Sequence, residues 1–160
     1  MSAVISDCGK YRYRLDRRTP VPIGDERQML FIMLNPSTAD AELDDPTIRK
    51  CRGFCERAYH GGFTVVNLFA YRATDPAELK KASDPIGPEN MRHIMKAASE
   101  ADTIICAWGT KGSFGRQNEK VINALKENDL FALELTKDGH PKHPLYISYD
   151  KQPIRMKPHD

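Results

Sequence analysis

The chain has 160 residues, with 24 Lys and Arg against 22 Asp and Glu, a formal charge of +2 and 40% hydrophobic residues. That composition describes one domain able to bury a core without disulfides or a structural metal, and it excludes a disordered chain or a polybasic nucleic-acid coat. The longest apolar run, 29–34, is far short of the roughly 20 residues of a membrane span, no basic stretch followed by an apolar core opens the chain, and four cysteines in such a chain suit reduced thiols, so a cytoplasmic protein with no membrane partner is expected.

In chain order, YRYRL (11–15) alternates and reads as an edge strand, followed by a turn-rich stretch at 19–24. MLFIML (29–34) is a continuous apolar run, as a strand covered on both faces requires. It stops at Asn35-Pro36-Ser37-Thr38, a loop signal. A helix is expected from Asp45, which can cap it with Pro46 at the first position; Ile48, Cys51, Cys55 and Ala58 mark its inner stripe. FTVVNLFAY (63–71) is the second strand, and Arg72-Ala73-Thr74-Asp75 opens a polar loop. A helix over 88–100, the strand TIICAW (103–108), a helix over 114–128 and the strand LFALEL (130–135) follow. The loop of His140 and His143 then leads into LYISY (145–149), a strand-like run.

Strands alternating with helices predict a single α/β domain over 1–160: a three-layer α/β/α sandwich around a mainly parallel, four-stranded sheet. Residues 1–28 form a basic N-terminal segment, and 29–149 the core. In such sheets ligands bind beyond the carboxyl ends of the strands. Four polar clusters fall there: Asn35, Pro36, Ser37 and Thr38; Asn67 with Arg72 and Asp75; Trp108 and Gly109; and His140 with His143.

Each cluster admits a structural and a chemical reading. Asn35 can cap a turn or hold a water through its carbonyl oxygen. Asn67, inside an apolar strand, must find partners: either loop backbone or the donor–acceptor edge of a nucleobase. Trp108 can close the core or stack on a base, and Arg72 and Asp75 can pair or contact substrate. The glycine-rich run 109–115 suits a tight turn or an anion at a helix start. Cys51 and Cys55 share a helix face without a second pair, so they read as core residues and no metal is expected. No cofactor motif is present.

The segments MLNPSTAD, DDPTIRKC, VVNLFAYRATDP, AWG and GHPKHPLY resemble a bacterial family known as domain of unknown function 1643, over most of the chain from 29 to 146. Their order is more distantly similar to the uracil-DNA glycosylase superfamily. That similarity implies a glycosylase-like fold and places the water-positioning Asn-Pro at Asn35-Pro36. It also places the base-reading Asn at Asn67 and the His-Pro that meets the departing base at His143-Pro144. Met33 stands where the superfamily has Gly, and Leu145-Tyr146 follow His143-Pro144 where it has Ser. The departures favour a nucleobase or nucleotide ligand over invasion of a duplex.

The expected function is therefore hydrolysis of a nucleobase-containing substrate. Asn35 and His143 would be catalytic; Pro36, Ser37, Thr38, Asn67, Arg72, Asp75, Trp108, Gly109 and His140 would bind. The alternative is a non-catalytic nucleotide or nucleic-acid binder on the same scaffold. For that reading, Lys10, Arg12, Arg14, Arg17 and Arg18 with Tyr11 and Tyr13 form a strip suited to a single strand or a solvated edge.

Overall fold

The structure, a computed structural model, describes residues 1–20 and 26–156. Most of the turn-rich stretch expected at 19–24 lies outside those residues. The strands are β1 (Ser2–Ile5), β2 (Arg12–Arg18), β3 (Gln28–Met33), β4 (Gly62–Asn67), β5 (Thr103–Cys106), β6 (Leu130–Ala132) and β7 (Ile154–Arg155). The α-helices are α1 (Pro46–Arg57), α2 (Asn90–Glu100) and α3 (Gln117–Ala124). Among the described residues, no helix is long and apolar enough to cross a membrane.

The sheet corrects the sequence expectation. It has seven strands, not four, in the order β1-β2-β4-β3-β5-β6-β7. The central run β4-β3-β5-β6 is parallel, while β1, β2 and β7 pair antiparallel at its margins, so the sheet is mixed. The segment expected at the edge, β2, is covered by β1 and adds Leu15 to the core. Leu145–Tyr149 is no strand: Pro144 starts a 3-10 turn, Pro144–Tyr146, with the His143 side chain accepting from the Leu145 N–H at its head.

Helix α1 forms where the sequence places it. Asp45 accepts the Ile48 N–H at 2.8 Å, satisfying one of the donors a helix start leaves open. It packs Ile48, Cys51, Phe54 and Cys55 on one face of the sheet, against Leu15, Phe31, Met33, Phe63, Val65 and Ile147. Helices α2 and α3 cover the other face, over Leu30, Ile32, Val66, Ile104 and Cys106. Cys51 and Cys55 are thus core residues, and no cysteine is in a disulfide.

Several elements are shorter than expected: β5 stops at Cys106, β6 at Ala132, and α2 starts at Asn90, while β4 and α3 are shortened for identifiable local reasons. β4 ends at Asn67 because the Leu68 and Phe69 N–H groups turn to the carbonyls of Met33 and Leu34, at 2.8 and 3.0 Å. The carbonyls of Asn67 and Leu68 are taken by the side-chain amide of Asn90, and that of Leu68 also by Gln117. α3 starts late because Gly115 and Arg116 both take left-handed backbone, at φ 59° and 57°, conformations that a continuous helix does not permit.

The chain runs from β3 through α1 to β4 on one side, then crosses back over the other face through α2 to β5. Strand order therefore reverses at β3, and the crevice at such a switch point is the usual ligand site.

Candidate functional site

Two pairs of loops meet at the carboxyl edge. The first pair is zipped together. Asn35 Nδ2 donates to the Ala73 carbonyl at 2.7 Å and to that of Pro36 at 3.2 Å, Ala73 N–H donates to Pro36 at 3.0 Å, and Ser37 Oγ reaches Thr74 Oγ1 at 3.5 Å. Asn35 is thereby oriented: its amide nitrogen is spent on backbone. Its carbonyl oxygen has no protein partner among the described residues, so it is open to accept from a water. Thr38 is exposed. Asp75 spends a carboxylate oxygen on the Ala77 N–H at the head of the 3-10 segment Pro76–Lys81 and forms no ion pair with Arg72.

In the second pair, the Gly109 N–H donates to the Pro141 carbonyl at 2.8 Å. A turn closed by the Thr136 N–H on the His140 carbonyl, at 2.8 Å, holds His140 half-buried at the rim. His143 is half-buried beside α1. Burial holds its imidazole below the ordinary value, with Asp45 pulling the other way. Because Nδ1 accepts the Leu145 N–H at 3.3 Å, the neutral ring carries its proton on Nε2, as a donor. The Asp45 carboxylate at the start of α1 favours the charged forms of both His143 and the buried Arg12.

Asn67 ends β4 at the same carboxyl edge. Alternation along β4 sets it on the α1 face, with Phe63 and Val65. The residue is 1% exposed, and neither Nδ2 nor Oδ1 has a hydrogen-bond partner among the described residues. Trp108 does not join it. The indole is 2% exposed on the opposite face, packed with Leu34, Phe69 and Leu125, and a Cβ at Gly112 would fall 2.3 Å from the ring. Stacking on a base held at Asn67 is therefore closed to Trp108: alternation from Cys106 sends its side chain into the α2–α3 layer.

The basic strip is also different from its expectation. Arg12 and Arg17 are buried, not solvated. Arg17 Nε donates to Asp44 at 2.7 Å, and its other nitrogens reach the carbonyls of Asp16, Asp40 and Leu43. Arg12 Nη1 donates to the Ala39 carbonyl at 2.9 Å. Arg14 is held between Asp16 and Glu100. Together, Arg12 and Arg17 pin loop 35–45 onto the sheet. The signal that sequence reading missed is complementarity: the acidic run DAELDD lies between Asn35 and α1, and the basic strand has to meet it. Among the described residues, no three His, Cys, Asp or Glu side chains gather as a metal site.

These features define a mixed α/β protein with a polar site at the carboxyl edge of its parallel strands, on the α1 face of the switch point. The chain belongs to the family described as Protein of unknown function (DUF1643), whose model matches residues 12–145. No curated protein and no solved structure matches it.

Proposed function

We propose that the protein is a hydrolase acting on a nucleobase-containing substrate, cutting its N-glycosidic bond in the manner of the uracil-DNA glycosylase superfamily. The observation that carries the reading is the Asn67 amide, with a buried donor and acceptor both unpartnered at the carboxyl edge. Leaving such groups unpaired costs roughly 1–3 kcal/mol each, and the edge of a flat heterocycle offers the matching acceptor and donor.

The rest of the site fits around that contact. Asn35, fixed by Ala73, presents its carbonyl oxygen to a water. That water adds to the anomeric carbon as the C–N bond breaks; the electron pair leaves with the base, and the proton of the water passes to solvent. His143, neutral with Nε2–H as donor, stabilises the negative charge on the departing base. In this reading Pro36, Ser37, Thr38, Arg72, Asp75, Gly109 and His140 contact the substrate. Because Asn67 is closed off in the ligand-free chain, base entry requires the loops above it to part.

A non-catalytic nucleotide binder would use the same amide. Base release separates the two. The purified chain is incubated with free nucleosides, nucleotides and oligonucleotides carrying uracil or mispairs, and released base is measured by chromatography. Release from at least one substrate is expected, falling at least about 100-fold in Asn35→Ala; no release from any of them by folded protein contradicts catalysis.

A further inference from the structure

We propose that Arg12 and Arg72 form an anion site on the α1 face, made for the phosphate monoester of a nucleotide. The proposal rests on the nucleobase reading of Asn67 for the other end of that ligand, and on the two arginines alone for the phosphate.

Strand β2 supplies its own comparison. Arg17 and Arg12 are each 2% exposed. Arg17 shows how this chain satisfies a buried guanidinium that only braces the fold: an ion pair with Asp44 and backbone carbonyls around the remaining nitrogens. Among the described residues the Arg12 side chain has one hydrogen bond, to Ala39, no ion pair, and a buried Nε–H with no acceptor. A buried charge is expensive unless it is paired and hydrogen-bonded. Burial pulls its pKa down to about 10, so it stays charged at neutral pH.

Arg72 is brought beside Arg12 by the antiparallel Tyr11–Tyr71 bridge: the Arg12 N–H donates to the Ala70 carbonyl at 3.0 Å, and the two arginines flank the bridge diagonally, on the face opposite its tyrosines. The Arg72 backbone is fixed, with N–H to the Lys10 carbonyl at 2.9 Å, yet its half-buried side chain makes no hydrogen bond or ion pair among the described residues. The carboxylates that act on the pair each turn one oxygen to backbone N–H groups, and among the described residues neither forms an ion pair with Arg12 or Arg72. Asp45 holds the Ile48 N–H, and Asp40 holds those of Glu42 and Leu43 at 2.9 and 2.8 Å. Two guanidinium groups with unused N–H donors fit the several oxygens and double charge of a phosphate monoester better than one carboxylate. Entry of the anion displaces loop 35–45 from Arg12, whose Nη1 now holds Ala39.

Isothermal titration calorimetry on the full chain tests this with inorganic phosphate and with adenosine, cytidine, guanosine and uridine, each as nucleoside and as 5′-monophosphate. At least one monophosphate is expected to bind at least about tenfold tighter than its nucleoside, and Arg72→Met and Arg12→Met each to erase that factor. Arg72→Met, on the half-buried residue, keeps the test if Arg12→Met does not fold. Equal affinities of nucleoside and monophosphate, survival of the preference in Arg72→Met, or no binding by any of the nine compounds overturns the proposal. Phosphate binding that depends on Arg72 without discrimination among bases supports the anion site and contradicts the nucleobase reading. Nucleoside binding with no phosphate preference does the reverse.

Discussion

Asn67 and Asn90 are both buried asparagines, yet they have different lives. Asn90 uses its nitrogen to close the end of β4, a bracing role, while Asn67 uses neither amide atom. Replacing the Asn67 amide with an apolar group of similar shape, Asn67→Leu, should therefore stabilise the ligand-free chain by about 1 kcal/mol, because it removes unpaired polar groups; urea unfolding measures the change. A loss of stability would mean that buried water already satisfies the amide. His143 carries a pH signature. Its imidazole is held low by burial, so below about pH 6.5 the unfolded chain takes up a proton before the folded one does. The stability it contributes is present above that pH and is lost as pH falls. His93, also held low by burial, has the same sign. Urea unfolding at about pH 5.5 and about pH 7.5 should show a smaller pH difference in His143→Gln than in the parent chain. Asn35 stood out in the sequence because it ends an apolar run, and Asn67 because it interrupts one. What a run cannot reveal is which way Trp108 faces, since that depends on the parity of the strand before it.

At the scale of elements, loop 35–45 and the segment after His143 are each fastened by a few contacts. Arg17→Met removes the buried cation that holds Asp44 and the carbonyls of loop 35–45. Arg52 still pairs with Asp44 at 2.8 Å, so the loss is expected at about 3 kcal/mol, the lower end for breaking a buried pair, and read by urea unfolding. The segment after His143 is fastened by Tyr149, which lies on Gly53 of α1 with Lys50 and Arg57 over its ring, at 3.9 and 3.8 Å from the centroid. A Cβ at Gly53 would fall 2.5 Å from the Tyr149 ring. Gly53→Ala should therefore cost about 1–3 kcal/mol by crowding, less up to about 1 kcal/mol regained in helix propensity, and should shift the His143 imidazole signals in NMR spectra. Asp45-Pro46 announced α1 correctly because capping is chemistry local to a few residues. The 145–149 run misled because apolar alternation speaks of a strand, while Pro144 and the His143 cap start a 3-10 turn first.

The molecule as a whole hides its N-terminal basic charge. The strip that suited either a single strand or a solvated edge is spent on Asp16, Asp44, Glu100 and loop carbonyls, with Lys10 and Arg18 left exposed. Pairing between segments distant in sequence leaves no local trace, and for the same reason β1 and β7 were not foreseen: each is short and gains its place only by pairing with β2 or β6. The parallel centre was legible, since β3 must be apolar on both faces once helices cover both. The resulting carboxyl edge carries Asn35 tied to the Arg72 loop and Asn67 at the end of β4, with His143 beside α1. The most direct test of that arrangement is a titration followed by NMR. The side-chain amide signals of Asn67, assigned by their loss in Asn67→Leu, are recorded as free nucleobases and their nucleotides are added. The signals should move and saturate with at least one of them, while those of Asn90 stay in place. Asn67 signals unmoved by every base and nucleotide would contradict the nucleobase reading.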